Sequence, residues 1–565
     1  MFLAQKLLLF SSVIIMGGRI MINKENMYNN MLRMVEVPGV SGTESEKMTA
    51  CKIEELLREI PYFRDHPENV KLIPLVDDPF ERSIVTGFME LNPGCPDTVI
   101  LTGHYDVVDV EEFGHLQDIA YNVEEITKRI NEMPLDEDSQ KDFESGEWIF
   151  GRGTADMKYG HALCMELMKH YSEEKSIKGN LLYVAVCGEE TNSEGMLRAV
   201  PFFNQLAEEK GLKYRALLLT ECYMMEDQAG DNNRYIHYGA SGKIMPMFFF
   251  AGESTHGGEP FLGIDPTLMS TQLYHKLEMN TDFCQQSLGE TTPPPVCLKM
   301  QDLKGTYSAS IPLYAVAYYS FITVQLNPDE LNRRLLQLAE ASMRDAIRFM
   351  DEKAAAYAKL TGEEPIRHRY APCVKTYRQL YDEVCADYQG DLDADLKAYA
   401  KELQDKKMEM QDIAVSLVKR VYELYKDKKP MIILAFIPPY YPDVYLSKEG
   451  EDAAKLMRCC DEIIDYAREN FGETLKMKDY YMGISDMCYT GLTEGMNFDN
   501  VFENLAGINM IYQFPEEDLK KFKVPGIVLG GYGKDFHKHT ERLHKHYNFD
   551  VLPYLYIQLI DKLLS

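Results

Sequence analysis

Short, almost wholly apolar runs recur along this chain between longer segments of helical period. Residues 83–87, 98–101, 181–186 and 216–219 are too brief for helices and too continuous for strands with one wet face, so they predict strands buried on both sides. Between them, 159–171 and 193–209 carry the 3.6-residue spacing of helices. Alternating buried strands and helices predict an α/β sheet covered on both faces. Upstream, 27–57 reads as two helical segments split by VPGVSGTES, where Ser41, Thr43 and Ser45 offer N-caps.

The pattern changes after Glu221. Glycine-rich GASGK and AGESTHGGEP lead into a helix at 266–278, a strand at PVCLKM and the β-forming run YAVAYYSFITVQL. Long helical patterns follow at 328–357 and 391–428, then the strand PMIILAFI. This is the grammar of a second, α+β domain with enlarged helices. A helix at 451–469 and the apolar run VPGIVLGG then return to the first type of structure. The expected division is therefore 21–239 and 446–565 for a discontinuous catalytic domain, with 240–445 inserted into it.

Size and charge narrow the functional classes. With 565 residues, two or more domains are expected. A formal charge of −29 repels nucleic acid and anionic membrane surfaces, and no basic stripe overrides it, so neither is an expected partner. Twelve cysteines without a CxxC pair read as reduced thiols and point to the cytoplasm. In residues 1–20, Lys6 precedes an apolar run that is too short for an ordinary span and lacks a clear cleavage site. That stretch reads as an extension or an early start, with export or anchoring as the alternative.

The chemistry gathers at strand ends. His104 and Asp106 stand just past the strand of VILTGHYDVVD, where ligands commonly collect in open α/β sheets. Asp156 follows the glycine loop of FGRGTAD and precedes a helix. LLYVAVCGEE delivers Glu189 and Glu190 from a buried strand, a costly pair unless it meets water or a cation. RALLLTE does the same with Glu221, and His537 lies in GGYGKDFHKHTE. Singly, each has an ordinary reading as a polar loop or helix cap. In this order they predict a metal-centred hydrolase.

The segments GHYD, GRGTAD, GEE, TE and HKHTE, in that order, resemble the M20 family of co-catalytic metallopeptidases and deacylases. Within it, LTGHYDVVDVEEFG and the enlarged insert resemble the RocB-type arginine-utilization branch. The resemblance implies a zinc-exopeptidase-like α/β/α catalytic domain with an inserted lid or dimerisation domain. It implies two divalent ions, zinc with cobalt or manganese as alternatives, held by His104, Asp156, Glu190, Glu221 and His537. Asp156 would be shared, Asp106 would orient His104, and Glu189 would be the general base. His537 is chosen over His539 and His544 because Glu541 follows it by four. His256, between glycines of the insert, would steady the oxyanion. The bond from Asp156 to Met157 is expected to be cis.

Departures accompany the match. Relatives usually carry an asparagine before a proline and then an arginine that reads a substrate carboxylate; here Ala309 precedes Pro312, and GTYSASIPLYAVAYYSFITV contains no arginine. Tyr307, Tyr314, Arg234 and Lys243 are weaker candidates for substrate contact. The expected function is hydrolysis of an N-acyl amino acid or short peptide, in arginine or ornithine catabolism if the RocB-type resemblance extends that far. Cleavage of an amidino or carbamoyl C–N bond, or a metal-binding scaffold without turnover, are the alternatives. Relatives pair through the insert, which implies a homodimer, or a monomer if the added helices cover that edge.

Overall fold

The computed structural model describes residues 22–174, 176–222, 233–366, 370–493 and 498–565. The expectation for residues 1–20 lies outside them. The described residues form two compact units.

The first unit runs up to Ala240 and resumes over Val444–Leu492 and Pro515–Ser565. Its eight-stranded sheet has the order Val70–Pro74, Ser83–Met89, Asn180–Val186, Asp97–His104, Lys213–Leu219, Gly526–Val528, Arg234–Ala240, Leu475–Tyr481. Asp97–His104 runs parallel to both neighbours, while the strands at the Val70 edge pair antiparallel. Val99–Leu101, Leu181–Val186 and Leu217–Leu219 are buried, as their continuous apolar character requires. Helices Tyr159–Glu174, Glu194–Lys210, Glu451–Phe471 and Leu552–Leu563 complete an α/β/α arrangement. His104 pairs with Val186 and Thr102 with Leu219, so the carboxyl ends of three adjacent strands finish nearly flush. That edge is where the candidate ligands emerge.

The second unit comprises Ser241–Asp443 and Thr493–Phe514. Its sheet has the order Val296–Asp302, Tyr314–Thr323, Gly242–Ala251, Met431–Tyr441, Val374–Thr376, and the helices Pro266–Leu277 and Pro328–Thr361 pack together. Three differences from the sequence reading have local causes. The single helix anticipated at 391–428 is two helices, Leu392–Asp405 and Met410–Leu424, because Lys407 turns to φ 56° between them. Helix Ser45–Arg58 starts from Glu44, whose side chain makes no capping bond; Ser45 Oγ instead accepts the Val40 N–H. Residues 493–514, assigned by sequence to the first unit, group with the second, where Phe498, Phe502 and Phe514 close around Tyr440.

No described helix is long and apolar enough to cross a membrane. None of the twelve cysteines is in a disulfide.

Candidate metal centre

At the flush edge of the sheet, Asp156 stands between two imidazoles. His104 Nε2 lies 3.0 Å from Asp156 Oδ1, and His537 Nε2 lies 3.3 Å from Asp156 Oδ2. His104 Nε2 is also 3.2 Å from Glu221 Oε2, and His537 Nε2 is 3.0 Å from Glu190 Oε2. Glu189 Oε2 is 3.9 Å from His104 Nε2. One ligand atom each from His104, Asp156 and Glu190 lies within 4.8 Å of the others. Six of the residues singled out by sequence thus converge from five chain segments.

Local structure explains the aim of each side chain. His104 is the last residue of its strand, and its Nδ1 faces the Asp106 carbonyl oxygen at 3.1 Å. The Asp106 carboxylate lies 3.7 Å from the same nitrogen and accepts the N–H groups of Glu189 and Glu190, both at 3.1 Å. Asp106 therefore positions the Glu189–Glu190 loop as well as the imidazole. Gly188 begins that loop at φ 70°, and a Cβ there would meet Glu194 Oε2 at 2.3 Å, so both conformation and space call for glycine. Its N–H donates to the buried carboxyl of Glu46 at 2.8 Å. His537 adopts φ 66°, uncommon for a residue with a side chain and typical of sites held by their surroundings.

Asp156 sits in an irregular turn, Thr154–Lys158, and its peptide bond to Met157 is cis, as the resemblance implied. Glu541 Oε1 accepts the N–H groups of Ala155 at 3.2 Å and Asp156 at 3.3 Å. Arg152 donates to Glu541 Oε2 at 2.7 Å and to the His537 carbonyl at 3.1 Å. Lys158, fully buried, donates its ammonium to the carbonyls of Met34, Val37 and Pro38. These supports escaped the sequence reading, apart from Glu541 as a marker of His537. Arg152, inside GRGTAD, was the signal that could have found the first of them.

The remaining candidates fall elsewhere. His539 donates to the Pro134 carbonyl and His544 packs on Trp148 and Tyr532, so neither rivals His537. Arg234 lies 3.7 Å over the Tyr532 ring and Tyr314 packs on Phe249 and Tyr422; both are packing residues. Tyr307 is 97% exposed. Lys243 stands over the Tyr441 ring. His256 belongs to the second unit, exposed, with its Nδ1 accepting the Gly258 N–H at 3.1 Å.

The donor set fits divalent cations. Burial lifts the Glu189 carboxyl well above its usual range; His104 opposes this, and Glu190, Asp486 and Glu221 add to it. Burial and Asp156 raise Glu190, and burial raises Glu221 to about 7 against the attraction of His104. Hydrogen bonds to Asp156 and Glu190 hold His537 up at about 10. Burial would lower His104, yet Glu221, Asp106 and Asp156 keep it well above the usual histidine value. Glu221 Oε2 is buried without a hydrogen bond. So many acids in a low-dielectric site call for positive charge, here supplied by imidazole protons that a metal ion would displace.

Comparison with known proteins gives the family. The family described as Peptidase family M20/M25/M40 matches residues 100–546. The uncharacterized protein YqjN of Bacillus subtilis (strain 168) is 33% identical over 551 residues, covering 96% of this chain and 97% of that protein. Protein RocB of the same organism is 30% identical over 538 residues, covering 94% of each. Among solved structures, the di-peptidase Dug1p of Saccharomyces cerevisiae superposes with a TM-score of 0.53 at 12% identity, covering 96% of both chains. An M20 family metallo-carboxypeptidase, Sso-CP2 of Sulfolobus solfataricus, gives 0.51 at 11% identity, covering 95% of this chain and 99% of that one. These two likenesses concern the fold. The chain belongs to peptidase family M20/M25/M40 and is a metallohydrolase of peptide or related amide bonds.

Proposed function

We propose that the protein is a two-metal amide hydrolase acting on a short peptide or an N-acyl amino acid. The observation that carries this reading is the Asp156 carboxylate with one oxygen toward each imidazole. His104 and Glu221 would hold one ion, Glu190 and His537 the other, and Asp156 would be common to both. Zinc suits this mixture of imidazole and carboxylate donors, with cobalt or manganese as alternatives. When bound, such ions activate water and polarise the substrate carbonyl.

The chain's own residues then divide the work. Glu189 takes the proton of the attacking water and returns it to the departing amine. Its raised affinity for protons, from burial and neighbouring acids, suits that task. Asp106 fixes the imidazole of His104 and the backbone that presents Glu189. His256, by family resemblance, steadies the developing oxyanion, a contribution typically of about 3–4 kcal/mol. The RocB-type resemblance favours a substrate from arginine or ornithine catabolism, and twelve cysteines outside any disulfide favour a cytoplasmic setting. Pairing of two copies through the second unit is proposed from the resemblance to the family.

Glu189→Gln tests the reading. Release of amine from N-acyl ornithines, N-acyl arginines and dipeptides, measured with zinc, cobalt or manganese, should fall at least ~100-fold, the usual scale of general-base catalysis. Bound metal per chain should stay unchanged. Equal turnover before and after the change would remove Glu189 from this role.

A further inference from the structure

In the second unit, the pairing of strands Gly242–Ala251 and Tyr314–Thr323 continues past the end of the sheet. Beyond Ala251 and Tyr314 the two segments stay antiparallel: the Gly252 N–H donates to the Leu313 carbonyl at 2.8 Å, the Ile311 N–H to Thr255 at 2.9 Å and the Gly257 N–H to Ala309 at 2.8 Å. Ser254 Oγ adds a bond to the Ile311 carbonyl at 2.7 Å. His256 stands opposite Ser310 at the far end of this extension. The segment 309–311 therefore holds the backbone of His256. That segment needs support of its own, because residues 305–309 before it are exposed and Tyr307, at 97%, anchors nothing by burial.

Lys304 supplies it. It lies just past the edge strand Val296–Asp302, where Asp302 Oδ1 accepts its backbone N–H at 2.9 Å. Its half-buried side chain follows the turn, and the ammonium donates to the carbonyls of Ser308 and Ser310, both at 2.7 Å. The hydroxyls of Ser308 and Ser310 meet at 2.9 Å on the same turn. Lys276, Lys299 and Lys375 of this unit, also half-buried, pair with acids instead. A carbonyl attracts an ammonium less than a carboxylate does, and fixing a lysine costs side-chain entropy. What the Lys304 contact secures is geometry: one cation closes the turn 304–310 on itself, and the end of that turn is the residue facing His256.

We infer that Lys304 is a positioning residue for His256: its ammonium holds residues 308–310 in the shape that presents the imidazole. This rests on the oxyanion role proposed for His256 and names the side chain that keeps it aimed. A donor to an oxyanion works by being in place before the charge develops. Loss of Lys304 therefore slows turnover and leaves substrate affinity and the metal centre as they were.

The test uses the full-length, zinc-loaded protein and two readouts. In hydrogen exchange, the Gly257 and Ile311 amides of wild type should exchange ~10-fold or more slowly than in an unstructured chain. In Lys304→Met they should approach the unstructured rate, while peptides carrying His104, Glu190 and His537, and the bound zinc, stay unchanged. Unprotected amides in wild type would overturn the inference whether or not the variant folds, and equal protection in the two proteins would overturn it too. In turnover, on whichever N-acyl ornithine, N-acyl arginine or dipeptide is hydrolysed, Lys304→Met should lower kcat ~10-fold at an unchanged KM, the ordinary weight of charged hydrogen bonds. In a His256→Ala background the same substitution should do nothing further. Losses that multiply in the double variant would show that Lys304 acts elsewhere. An unchanged kcat in His256→Ala would bring down the role of His256 and the inference with it, and a panel without any hydrolysed member would bring down the hydrolase reading beneath both.

Discussion

Arg152 and Glu541, 389 positions apart in the chain, form a buried ion pair at 2.7 Å that ties the Asp156 turn to the His537 loop. Removing one partner strands the other charge, so Arg152→Met should cost about 3–5 kcal/mol. Arg152→Met combined with Glu541→Gln should recover part of that loss, because the glutamine still accepts the Ala155 and Asp156 N–H groups and no bare charge is left. Urea unfolding of the three variants measures the coupling. Losses that simply add would show that the two residues act separately.

Asp106 supports two loops with one carboxylate. In Asp106→Asn, one oxygen becomes an NH2 group facing the N–H of Glu189 or Glu190. Metal affinity should drop ~10–100-fold, the scale seen when groups behind metal ligands are altered. Zinc titration against a chelating dye checks this, and an unchanged dissociation constant would contradict it.

His237 gives the fold a signature in acid. Burial, with a smaller contribution from Lys478, lowers its pKa from 6.5 to about 3. Between those values the unfolded chain binds a proton that the folded chain refuses, so stability is whole above pH 6.5 and declines as pH falls. The slope is about 1.4 kcal/mol per pH unit, or about 2 kcal/mol between pH 7 and pH 5. In the metal-stripped chain, His237→Leu should lose correspondingly less stability over that interval. Identical pH dependence in the two proteins would show that His237 does not titrate this way.

Much of the centre was legible because it sits where short apolar runs stop. His104 ends one buried strand, Glu189 and Glu190 follow another, and Glu221 follows a third. A strand buried on both faces leaves a plain local signal, and the parallel pairing that brings these ends level follows from the βαβ order. The partners that hold the ligands in place left no such trace. Glu46 and Lys158 look like ordinary charged residues, since burial of a charge depends on what the rest of the chain brings to it. Arg152 sits inside the GRGTAD motif, yet its partner is 389 residues away. The aromatic closure of Phe498, Phe502 and Phe514 on Tyr440 was equally invisible, because the helix that carries Phe502, Asp499–Glu503, is too short to show a period.

The position of bound metal tests the two-metal centre most directly. Crystals grown with zinc and measured on both sides of its absorption edge should show two anomalous peaks flanking Asp156, one within bonding reach of His104 and Glu221 and the other of Glu190 and His537. A peak bound by other residues, or no peak at either imidazole in zinc-saturated protein, would contradict it.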